Sequence, residues 1–115
     1  MDAIKPHVLV VDDEMGPRES LKMILNPYYN VHVAERGGQA IDMLKQYPVD
    51  LVTLDLKMPG FGGIHVLEKL KQHDPDIEAI IITGYGSLDT AIEGLRLGAF
   101  DYISKPFDVN HILSL

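Results

Sequence analysis

The chain has 115 residues, 46% hydrophobic and 23% charged, with a formal net charge of −7 and no cysteine. That is one domain of ordinary globular composition, long enough to bury a core without staples. It excludes disulfides and thiolate metal sites, and the acidic balance argues against this segment gripping nucleic-acid phosphates itself. The start "MDAIKPHVLVVDDE" has no apolar stretch fit for a signal peptide, and no run approaches the ~20 apolar residues of a membrane span.

Short apolar runs alternate with segments of helical period. The first run, "HVLVV" (7–11), ends on Asp12 and Asp13, and the stripe Leu21, Ile24, Leu25 follows it. After the turn "NPYYN" comes "YNVHVA" (29–34), then "RGG" and a second stripe, Ala40, Ile41, Leu44. "YPVD" leads into "DLVTL" (50–54), which ends on the bare carboxylate of Asp55. "MPGFGG" reads as a turn opening a third helix with Val66, Leu67 and Leu70 on its apolar face. "HDPD" precedes "EAIIIT" (78–83), which ends on Thr83. Leu88, Ala91, Ile92 and Leu95 form the fourth and clearest stripe. "LGAFD" then turns into "DYIS" (101–104), followed by Lys105 and Pro106. The closing "FDVNHILSL" offers only about two turns of helix at ~3.6 residues each, too short to cover a sheet face. The fifth helix is therefore expected to be truncated, and residues 1–115 to be a fragment of a longer protein.

Five βα units at this spacing predict an α/β fold, a doubly wound parallel sheet with helices on both faces and the first strand near the middle. Ligands of such sheets bind outside the carboxyl ends of the strands. Those ends carry Asp12 and Asp13, Asp55, Thr83 and Lys105. With strands about 4.8 Å apart, these groups converge on one pocket. Three close carboxylates repel unless a cation sits among them, and an all-oxygen set with room for water and phosphate suits Mg²⁺. Lys105 adds a mobile positive charge and Thr83 a hydroxyl, so Asp55 is positioned to accept a phosphoryl group as an acyl phosphate.

Each residue alone has a plainer reading. Asp13 fits equally well as a cap of the next helix, Asp12 as its solvated neighbour and Asp55 as a loop acid. Thr83 is a common β-former, and a lysine before proline is usually solvated. Their coincidence at four strand ends of one sheet favours the site.

"VLVVDDE", "LVTLDLKMPG" and "IIITGYGSLDTAIEGLRLGAFDYISKPF" resemble the receiver domain of two-component response regulators, in order and spacing, from about His7 to Phe107. The resemblance implies a flavodoxin-like sheet of order 2-1-3-4-5 and phosphorylation of Asp55 by a sensor histidine kinase. It further implies that Asp13 binds Mg²⁺ directly, Asp12 mostly through water, and Lys57 through its backbone carbonyl. Thr83 and Lys105 would contact phosphoryl oxygens. Tyr102, three residues before Lys105, falls at the switch position, turning inward as Thr83 moves and reshaping the surface of helix 4, strand 5 and helix 5. Lys57 and Tyr85 flank the access route and are expected to tune the lifetime of the phosphoryl group. "ITGYGSLDTAI" with "GAFDYISKPFD" most resembles the nitrogen-regulation type, whose receiver controls an attached ATPase and DNA-binding region. A cytoplasmic location, transcription regulation and a possible homodimer follow from the same resemblance, with no nucleic-acid contact by this domain.

Two rivals, and a variant of the leading reading, remain. An aspartate-nucleophile phosphatase would place an acid two residues after the nucleophile, where Lys57 stands, so no enzyme beyond self-phosphotransfer and slow self-dephosphorylation is expected. A receiver-like interaction module that takes no phosphate should have lost a ligand, yet all five residues are present. The variant is the receiver of a hybrid sensor kinase. "GYG" (84–86) and "PGFGG" lack the remaining residues of nucleotide-binding loops. His7, His32, His65, His73 and His111 show no metal-ligand spacing and are read as solvated. Met15, Met23 and Met43 read as core or rim filler.

Overall fold

The computed structural model describes residues 5–55, 63–83, 92, 95–99 and 101–104, and of residues 63, 64, 83 and 101–104 the main chain only. Lys57, Tyr85, Lys105, all of the "MPGFGG" turn but its last glycine, Leu88, Ala91 and the closing "FDVNHILSL" lie outside the described residues.

Five strands form one parallel sheet of order β2-β1-β3-β4-β5. They are β1 (His7–Val11), β2 (Asn30–Ala34), β3 (Val49–Leu54), β4 (Glu78–Thr83) and β5 (Asp101–Ser104). Each lies within one residue of the run expected from the sequence. Three helices have both ends described: α1 (Met15–Leu25), α2 (Gly37–Gln46) and α3 (Gly63–His73). Parallel pairing of strands that follow one another requires such crossovers.

Side chains on successive strand residues point to opposite faces, and both faces are covered. Val8, Val10, Ile80 and Ile82 face one side and pack with Leu21 and Leu25 of α1. Leu9, Val11, Val52, Leu54 and Ile81 face the other and pack with Ala40 and Leu44 of α2 and Val66, Leu67 and Leu70 of α3. This two-sided burial explains why the strands read as nearly continuous apolar runs instead of alternating ones.

Three side-chain expectations need correction. Of the fourth stripe, the two residues described, Ile92 and Leu95, are helical but exposed. Leu97 and Ala99 pack on the core in that region instead. Periodicity gives the spacing of a face, and the turn that follows decides which residues meet the sheet. That turn is made at Gly98, whose φ of 103° suits a residue without Cβ. Met15 and Met23 are exposed on α1 and fill neither core nor rim, because Leu21 and Leu25 already occupy its inward face; Met43 packs at the core's edge as read.

His7 and His32 are not separately solvated. Nδ1 of His7 and Nε2 of His32 lie 2.9 Å apart across the β1–β2 pair. His32 stacks on Tyr47 with ring centroids 4.1 Å apart. Parallel register brings strand neighbours together in a way sequence spacing does not reveal. His65 and His73 are exposed, and His111 lies outside the described residues.

Burial first, and then the charge on neighbouring His7, lower the pKa of His32 below its ordinary 6.5. The fold thus favours neutral His32, while the unfolded chain takes up the proton at higher pH. This contribution is complete above pH 6.5 and is lost as pH falls through the lowered value. Urea unfolding at neutral and mildly acidic pH should show a larger acid loss for the wild type than for His32→Phe, which keeps the stack on Tyr47. A second prediction concerns Thr53, whose buried Oγ1 has no hydrogen-bond partner. Thr53→Val should raise unfolding stability by about 1 kcal/mol, the low end of the cost of an unsatisfied buried hydroxyl.

Candidate functional site

Strand order reverses about β1, with β2 on one side and β3 on the other. The crevice outside the carboxyl ends of β1 and β3 is therefore the switch point at which such sheets bind ligands. Register fills it with acid. Val11 pairs with Leu54, so the next residues, Asp12 and Asp55, leave the sheet side by side. The Asp55 amide donates to the Val11 carbonyl at 3.0 Å, and the Asp12 amide to the Ala34 carbonyl at 3.0 Å. The sheet's own ladder thus fixes the main chain of both residues.

Asp12 and Asp55 are each only 2% exposed. Carboxylates do not stay ionised in such places without compensating partners. Among the described residues, the carboxylate oxygens of Asp12, Asp13, Glu14 and Asp55 lie within 4.8 Å of one another. The donor set is oxygen throughout, with two buried members and two exposed ones. It fits a hard divalent cation that keeps part of its water, Mg²⁺ before any transition metal.

The β1–α1 turn shapes this cluster. Oδ1 of Asp12 accepts from the Glu14 amide at 2.9 Å. Glu14, in extended conformation, is the N-cap residue of α1 and makes no side-chain cap hydrogen bond. Asp13 is therefore not the helix cap; it is an exposed member of the carboxylate cluster. Arg18, 8% exposed, donates from Nη1 to the Asp12 carbonyl at 3.2 Å.

The structure thus brings together Asp12, Asp13 and Asp55 of the expected site. Main-chain placement puts Thr83 at the end of β4, in register with Ser104 of β5, at the same end of the sheet. Tyr102 lies within β5 opposite Ile81, and its side chain, like that of Thr83, is outside what is described. Two residues were missed in the sequence. Glu14 was visible as the third acid of "VDDE", whereas nothing in the spacing of Arg18 announced a buried guanidinium.

A family model, the response regulator receiver domain, matches residues 8–115. Over 106 residues the chain is 42% identical to sporulation initiation phosphotransferase F of Bacillus subtilis (strain 168), covering 91% of this chain and 86% of that protein. It is 38% identical over 106 residues to transcriptional regulatory protein ZraR of Escherichia coli (strain K12), covering 91% of this chain and 24% of that protein. It is also 38% identical over 111 residues to a putative response regulator, NtrX-like, of Rickettsia bellii (strain RML369-C), covering 94% and 23%. The chain therefore spans about a quarter of the length of the latter two. Among solved structures, a CheY-like response regulator receiver domain protein from Methanospirillum hungatei JF-1 superposes with TM-score 0.91 at 32% identity, covering 97% of this chain and 90% of that one.

Carboxylates this close oppose one another when no cation is bound. In a chelator, Asp13→Asn should raise stability by about 1 kcal/mol, the water-like energy of unit charges near 4 Å. Urea unfolding with excess divalent cation should remove or reverse that gain, because the wild type then gains binding energy the variant has lost.

Proposed function

The chain belongs to the response regulator receiver domain family, and from that membership we propose a phosphorylation-controlled switch in which Asp55 is the phosphoacceptor. The observation that carries this reading is the convergence of Asp12, Asp13 and Asp55 at one strand-end crevice. Asp55 leaves β3 with its main chain fixed by the sheet, next to three further acids. A carboxylate oxygen of Asp55 attacks phosphorus of a phosphohistidine on the partner kinase. The P–O bond forms as the P–N bond breaks, and the histidine nitrogen keeps the electron pair and takes a proton. Bound Mg²⁺ would neutralise charge on the transferring group and orient it. Asp13 would hold the ion directly, Asp12 mostly through water, and Asp55 and the Lys57 carbonyl would complete the protein's share.

Thr83 and Lys105 serve as donors to the phosphoryl oxygens. When the Thr83 hydroxyl is drawn towards them, Tyr102 turns into the space left behind. A local charge event then biases one two-packing element of the fold. Lys57 and Tyr85 govern how readily water reaches the acyl phosphate. The partner upstream is a sensor histidine kinase, and the site of action is cytoplasmic. The output is an attached ATPase and DNA-binding region, in keeping with the regulators of which this chain spans about a quarter. The rearranged surface of β5 and its neighbouring helices is where a homodimer would form. As a chemical agent the domain does no more than phosphorylate itself and slowly release the phosphate.

Incubation with Mg²⁺ and acetyl phosphate, read by intact-mass spectrometry, tests this. One added phosphoryl group is expected, abolished in Asp55→Asn and by chelator. A label retained in Asp55→Asn would mean another acceptor.

A further inference from the structure

Among the described residues only three charged side chains are buried: Asp12, Asp55 and Arg18. The first two are pocket acids, and the third is bonded to one of them. Nη1 of Arg18 donates to the Asp12 main-chain carbonyl at 3.2 Å. Nη2 lies 3.4 Å from Oε1 of Glu35, whose side chain is 60% exposed. Glu35 directly follows Ala34, the residue whose carbonyl accepts from the Asp12 amide.

These contacts close a ring. It runs from the Asp12 amide to Ala34, along the chain to Glu35, across to Arg18, and back to the Asp12 carbonyl. The ring is tied to α2 as well, because Oε1 of Gln39 accepts from the Glu35 amide at 2.9 Å. It is also tied to the start of α1, where the Arg18 amide donates to the Glu14 carbonyl at 3.2 Å. Both peptide groups of Asp12 are thereby held, one by the sheet and one by the guanidinium. Burying a guanidinium is costly, and an ion pair with so exposed a carboxylate offsets little of that cost. The ion pair with Glu35 does not explain why a charge belongs there, whereas control of the Asp12 peptide does.

We propose that Arg18 is the positioning residue of the metal pocket: its planar fork fixes the Asp12 carbonyl against the β2–α2 turn, and so sets where the Asp12 and Asp13 carboxylates meet a divalent cation. The role rests on the metal-binding reading above. It has a distinctive sign. A cation beside the pocket repels a metal ion, so an Arg18 that acted only through charge would weaken binding, and its removal would tighten it. An Arg18 that acts by position does the reverse.

The test is isothermal titration of the unphosphorylated protein with Mg²⁺ alone, with folding of each variant checked by circular dichroism. Arg18→Met is expected to bind Mg²⁺ about tenfold more weakly, the lower end for groups that orient metal ligands. Arg18→Lys keeps the charge and one donor but loses the fork, and is expected to recover part of that loss. Equal or tighter binding by Arg18→Met overturns the role of Arg18 and leaves the metal pocket standing. Should Arg18→Met not fold, Arg18→Lys decides: severalfold weaker binding supports the role, and unchanged binding overturns it. No saturable Mg²⁺ binding by the unaltered protein overturns the pocket and this role together.

Discussion

The register of β1 against β3 carries Asp12 and Asp55 to adjacent places where burial and mutual repulsion both oppose them. Main-chain bonds to Val11 and Ala34 hold each acid in line with its strand. The fold concentrates negative charge at the one crevice its strand order opens. Carboxylates gathered this closely repel one another, and a divalent cation among them would offset that repulsion. In the proposed switch, reactivity at Asp55 would follow from the same arrangement, because what neutralises the acids would also neutralise an incoming phosphoryl group.

The surrounding structure supports that concentration of charge. Apolar side chains on both faces of β1 and β3 leave the strands no freedom to slide, since a one-residue slip would turn every inward side chain outward. The β1–α1 turn adds local control through the Glu14 amide and the Arg18 guanidinium, each bonded to Asp12. The carboxylates at the sheet's end are thus held by a rigid platform on one side and a short bonded turn on the other.

Much of this was legible in the residues. Runs such as "HVLVV" and "EAIIIT" mark strands buried on both faces, and alternation with helical stripes gives a parallel sheet before any pairing is known. Asp12, Asp13 and Asp55 were legible because apolar runs ended on them. What could not be read depends on contacts between elements distant in sequence. The His7–His32 hydrogen bond needs the β1–β2 register, and the His32–Tyr47 stack needs the end of α2 brought over β2. Arg18 looks like any helix-surface arginine until α1 is laid against the sheet. Exposure of Ile92 and Leu95 was hidden for a related reason: a stripe shows its spacing and not the angle at which its helix is set down.

Everything in the proposed switch depends on a divalent cation among the acids at the ends of β1 and β3. The most direct test is paramagnetic broadening of amide NMR signals by sub-stoichiometric Mn²⁺, a hard oxygen-seeking ion like Mg²⁺. Loss of signal centred on Asp12, Asp13 and Asp55 is expected, with recovery when Mg²⁺ competes. Broadening spread evenly over exposed acids such as Glu19 and Asp42, with those three amides no more affected than the rest, would contradict it.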